Sequence, residues 1–131
     1  WQLHIDSFIL KRLERIADKQ KRIARFLHSA ELDRETLNEL DRIYTDIIES
    51  YNDVMKSYYN RDRELAFRIE ISNKTRAESC NRFLEKYMQT HAKAKSKTAN
   101  DELVSVARIV ENLKATTVEI RDLARNVLCY E

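Results

Sequence analysis

An all-α bundle of four long antiparallel helices is the fold this sequence predicts, and three observations carry the prediction. The 131 residues include no glycine and no proline, where average usage would place roughly nine and six or seven. Apolar residues recur in steps of three and four through four successive segments, the period of a helix buried along one stripe. Polar clusters that suit helix ends interrupt that period three times. Lack of glycine removes the usual material of tight hairpins and phosphate-cradling loops. Lack of proline removes the preset turn and the helix breaker. A β-sandwich, a Rossmann sheet and a P-loop NTPase are thereby disfavoured. Disorder is disfavoured too, because 43% of residues are apolar and the formal net charge is only +2.

The first helix is expected near residues 3–28. Its stripe runs Ile9, Leu13, Ile16, Gln20, Ile23, Leu27. The stretch from Ser29 to Asp33 ends it, and Asp33 is placed to cap the second helix by accepting its free N–H groups. That second helix, near 34–59, carries Leu37, Leu40, Tyr44, Ile47, Tyr51, Val54 and Tyr58. Asn60 or Asp62 marks a tight corner. The third helix, near 62–90, repeats Ala66, Ile69, Asn73, Ala77, Cys80, Leu84 and Tyr87. Residues His91 to Asn100 hold no large apolar side chain, so nothing in them calls for burial, and Asn100 or Asp101 is expected to start the fourth helix. That helix, near 101–129, carries Leu103, Val106, Val110, Leu113, Thr117, Ile120, Ala124 and Val127. Stripes of this length suit shallow-angle packing about 20° off parallel. Gln20 and Asn73 interrupt the stripes with amides and are expected to fix register.

Charge is segregated along the chain. Residues 1–29 hold seven Lys or Arg against three Asp or Glu, whereas residues 30–59 hold three against eight. Neighbouring helices of opposite sign would neutralise one another. Nucleic-acid binding, which wants one dominant basic face, is not expected of this segment. Cys80 and Cys129 are too few for a disulfide scaffold. In an antiparallel third and fourth helix they would lie roughly 28 Å apart along the axis, so both are expected as free thiols. No apolar run approaches the ~20 residues of a membrane-spanning helix, so no membrane insertion is expected, and the reading is cytoplasmic. The chain reads as one helical-bundle domain over residues 1–131. It opens at Trp1 on apolar residues, which suggests a piece of something longer.

Enzyme signatures are missing. There is no Gly-rich loop, no CxxC, no HExxH, and no Glu-x-x-His of the di-iron bundles around His4, His28 or His91. The expectation is a protein that is not an enzyme. Carboxylates four apart on a helix share a face and can share a hard cation. Glu14/Asp18, Glu31/Glu35, Glu35/Glu39 and Glu49/Asp53 have this spacing, which with 22 acids is ordinarily a solvated face. An offset of 97 residues sets Leu13-Glu14-Arg15-Ile16 against Val110-Glu111-Asn112-Leu113, as if one helix were used twice.

Leu13-Glu14-Arg15-Ile16-Ala17-Asp18 followed by Ile23-Ala24 resembles the Glu-Arg-Ile-x-Asp helix of PhoU proteins, the regulators of phosphate uptake. The corner Arg61-Asp62-Arg63-Glu64-Leu65-Ala66 with Ile69 is similar to that family's Asp-x-x-Leu-Ala-x-x-Val. Ala107-Arg108-x-x-Glu111 stands where a second copy of the signature belongs. The resemblance covers nearly the whole chain, as the last helix of one three-helix repeat plus all of the next. It implies metal ligands at Glu14, Asp18 and Glu111, for a divalent or ferric ion. Ala115 replaces the acid of the second copy and Lys114 adds a positive charge, so the implied binding is weak. It also implies a regulator of phosphate uptake and phosphate signalling that docks on a phosphate ABC-transporter ATPase or a sensor kinase. The alternative is a helical-bundle domain of a larger transporter, channel, signalling or transcription-regulator protein. The first helix, lacking the two helices of its own repeat, must cover its apolar face on the other three or on a second copy. A homodimer is one expected outcome.

Overall fold

The computed structural model describes residues 2–91 and 96–129, with the side chain of Gln2 excepted. The described residues form four helices: α1 (Gln2–Ser29), α2 (Arg34–Asn60), α3 (Arg63–His91) and α4 (Lys97–Leu128). Successive helices run antiparallel, as the cross-helix partners show. Asp6 of α1 meets Tyr58 of α2, Glu39 of α2 meets Lys86 of α3, and Glu70 of α3 meets Arg125 of α4. No strand occurs among the described residues. No helix there is long and apolar enough to cross a membrane.

Capping sets the helix boundaries. Asp33 accepts the Thr36 N–H at 2.7 Å and opens α2 as the sequence predicts. The α2–α3 corner takes only Arg61 and Asp62. Arg61 adopts the left-handed conformation at φ 52°, the position glycine ordinarily fills. Its N–H and that of Asp62 donate to carbonyls at the end of α2, while the Asp62 carboxylate accepts the Leu65 N–H at 3.0 Å. One aspartate thus helps close one helix and opens the next. The fourth helix departs from expectation by starting at Lys97, ahead of Asn100. Ser96 caps it by accepting the Ala99 N–H at 3.1 Å. Lys97 to Asn100 need no burial to be helical once a cap is in place, since alanine and lysine favour the helix intrinsically. Residues 92–95 of the expected connection lie outside the described residues.

The bundle is not a symmetric square. α4 packs against each of the other three helices, and α2 packs against α3. Among the described residues, no Cα of α1 comes within 8 Å of α2 or α3. The core therefore gathers round α4, whose Val106, Ile109, Val110, Leu113, Ile120, Leu123 and Val127 are buried. Small buried residues, Ala66 and Cys80 on α3 and Ala124 on α4, sit in the same core. Ser50 and Ser57 of α2 are buried as well, each hydroxyl donating to the carbonyl three residues earlier at 2.6 and 2.7 Å. Burial of serine in this way leaves no unpaired hydroxyl.

The segregated charge finds its partners between adjacent helices. Arg12 of basic α1 pairs with Glu119 and Asp122 of α4 at 3.0 and 3.4 Å. Acidic α2 meets α3 through Glu39–Lys86 at 2.8 Å and Asp46–Arg76 at 3.4 Å. Gln20 donates to the Thr116 hydroxyl at 3.4 Å across α1 and α4, a contact suited to setting register. Both thiols are free, with Cys80 buried and Cys129 exposed.

Candidate functional site

Two clefts run along α1, one on each side, because among the described helices the α1 backbone packs closely on α4 alone. The first opens between α1 and α2. Gln20, Ile23, Ala24 and Leu27 form one wall, and Leu37, Asn38, Leu40, Asp41 and Tyr44 the other. Ile109 and Leu113 of α4 form the floor, and the volume is about 620 Å³. Concave, mainly apolar sites of this size with a few polar groups are the usual form of a binding site between helices.

This groove corrects part of the sequence reading. Leu37 and Tyr44 fall on the predicted core stripe of α2, yet they are 42% and 36% exposed. The buried face of α2 is instead Thr36, Leu40, Ile47, Ser50, Val54 and Ser57. Serine reads as polar and hides the buried face, whereas the apolar edge facing the groove reads as core. At the far end of the same seam Tyr58 Oη donates to Asp6 Oδ1 at 2.8 Å and bridges the two helices.

The second cleft lies between α1 and α4 and is basic. Lys19, Arg22, Arg25 and Phe26 line it from α1; Arg108, Glu111, Asn112 and Ala115 line it from α4, around about 460 Å³. Asn112 is buried and donates to the Arg108 carbonyl at 2.7 Å. Arg108 and Glu111 pair at 3.4 Å with both side chains mostly exposed. Arg22 pairs at 3.1 Å with Asp18, outside the lining, both about half exposed. Exposed pairs of this kind contribute little, roughly 0–1 kcal/mol, and their side chains reorient readily.

The three residues implied as metal ligands are placed as follows. Glu14 is exposed on α1. Asp18 is engaged with Arg22, one turn on. Glu111 lines the basic cleft among Lys19, Arg22, Arg25 and Arg108. With α1 and α4 antiparallel through Arg12–Glu119, Glu111 lies level with about residue 20, roughly 9 Å along the axis from Glu14. Among the described residues no three or more His, Cys, Asp or Glu side chains are grouped to hold one ion. The charge around Glu111 favours an anion over a bare cation.

Among the described residues Cys80 is the one strongly perturbed nucleophile, its thiol pushed up to about 11 chiefly by burial. At that value it stays protonated and unreactive near neutrality. Sequence reasoning missed both clefts. The basic row at Arg12, Arg15, Lys19 and Arg22 was visible, in steps of three, four and three. Its meaning depends on which helix lies opposite. Comparison with protein-family models, with curated proteins and with solved structures finds no match for this chain.

Proposed function

We propose that this chain is a non-enzymatic docking bundle whose α1–α2 groove receives one amphipathic helix of a partner protein. The observation that carries the reading is the unclosed seam itself. Two helix walls present Ile23, Leu27, Leu37, Leu40 and Tyr44 over an apolar floor from α4, and among the described residues no element covers Leu37 or Tyr44. From Leu37 to Tyr44 the groove extends about 10 Å, which suits two turns of a helix that anchors through side chains at i, i+3 or i+4, and i+7. Gln20, Asn38 and Asp41 offer polar groups at its edges to fix the orientation of the guest.

The partner class comes from the motif resemblance to PhoU proteins. It specifies the ATPase of a phosphate transporter or a phosphate-responsive sensor kinase, with the bound bundle damping its activity. Direct titration of the purified chain against each of these two proteins tests the reading. Binding to one of them is expected, with loss of at least tenfold in affinity for Ala24→Arg or Leu37→Arg. Phe67→Arg, an exposed substitution on α3, is expected to bind as the parent does. No binding to either protein overturns the phosphate-regulator reading. Binding unchanged in both groove variants overturns the groove as the docking surface.

A further inference from the structure

The contact between α1 and α4 is chemically uneven along its length. Toward the start of α1, the cations are answered: Arg12 meets Glu119 and Asp122, and Arg15 comes within 3.9 Å of Glu119. One to three turns further along α1 the row continues with Lys19, Arg22 and Arg25, but the opposite wall changes sign. Ala115 stands one turn before Glu119, and Arg108 adds a cation from α4 itself. Among the described residues Glu111 is the one acid lining the cleft, against four bases. Among the described residues Lys19 and Arg25 have no ion-pair partner.

We propose that this α1–α4 cleft binds a linear oligophosphate, through Lys19, Arg22, Arg25 and Arg108. Guanidinium groups present fixed forks of donors that match phosphoryl oxygens two at a time, and three of the four bases are arginines. The row from Lys19 to Arg25 covers about 9 Å of helix axis. That span exceeds one phosphate ion and suits a run of linked phosphoryl groups. The absence of a side chain beyond Cβ at Ala115 leaves the space between the walls that a longer acid would fill. Arg22 and Arg108 exchange weak, exposed partners for the ligand, so binding requires no break in the core. The site is on the opposite side of α1 from the docking groove, and it stands or falls independently of what that groove receives.

Isothermal titration calorimetry of the whole chain with sodium tripolyphosphate, alongside orthophosphate at matched ionic strength, tests the assignment. Tripolyphosphate is expected to bind at one equivalent per chain and at least tenfold more tightly than orthophosphate. Arg22→Gln and Arg108→Gln are each expected to weaken it about tenfold, the cost of one charge-assisted contact. Glu111→Gln is expected to tighten it several-fold by removing the one opposing charge. Lys56→Gln, an equal charge change on the exposed face of α2, is expected to shift affinity less than twofold. Circular dichroism confirms that each variant remains helical. Absence of tripolyphosphate binding overturns the proposal, as does orthophosphate binding equally well. Lys56→Gln weakening it as much as Arg108→Gln, or a single-stranded oligonucleotide binding as tightly, also overturns it by reducing the cleft to a general polyanion surface.

Discussion

Asp33 shows how much a single side chain can be read from sequence. It follows the last apolar residue before a new stripe, and it caps α2 where that position predicts. Hydrogen bonds from the Thr36 side chain, and then from its backbone N–H, hold the Asp33 carboxyl below its ordinary value. A depressed folded value means the stabilisation is present above the unfolded value of 3.8 and is lost as pH falls through the lower folded value. Asp33→Ala is expected to cost about 1 kcal/mol at neutral pH, measured by urea denaturation. The difference between parent and variant is expected to shrink below about pH 3.8. An unchanged difference at pH 2.5 would mean that the carboxylate charge does not carry the cap. Ser96 is the counter-case. Its capping role was illegible because the surrounding lysines and alanines show no apolar stripe, and helix there rests on the cap and local propensity rather than on burial.

At the scale of elements, the four stripes located four helices, but a stripe gives only one buried face. α4 has more. Ile109, Asn112, Thr116 and Leu123 are buried beside the predicted row because α4 touches three neighbours. Asn112 and Thr116 disguised that second row, the Asn112 amide N–H and the Thr116 hydroxyl each donating to a carbonyl of their own helix. α2 erred the opposite way, advertising apolar residues on the edge of an open groove. Truncations should separate the two cases. Ile120→Ala, at a fully enclosed position, is expected to destabilise by about 3 kcal/mol. Leu37→Ala, also on a predicted stripe but 42% exposed, is expected to cost under about 1 kcal/mol. Equal losses in chemical denaturation would show that the groove is closed in solution.

Taken whole, the molecule is a three-helix unit of α2, α3 and α4 with α1 laid against one side. The helical architecture was legible because every segment keeps the same period. The arrangement was not, since the partner of α1 depends on contacts about a hundred residues distant, which no local pattern encodes. The basic cleft was hidden for the same reason: its two walls are far apart in the chain. An element packed on a single neighbour opens at lower free energy than one packed on three. Amide hydrogen exchange is therefore expected to release the middle of α1 well before the middle of α4. Simultaneous exchange of the two helices would instead make the bundle one cooperative unit.

Dependence of α1 on α4 also has a consequence for biosynthesis. The ribosome makes α1 well before α4, the helix it packs against, the Arg12–Glu119 contact joining residues 107 positions apart. At a synthesis rate of roughly 5–20 residues per second, Ile5, Ile9, Ile16 and Ile23 wait on the order of 5–20 s for the surface that will bury them. The α2–α3 hairpin, joined by two residues, can form meanwhile. For that interval the nascent chain displays an amphipathic helix of the kind a holding chaperone grips, and release has to await the emergence of α4.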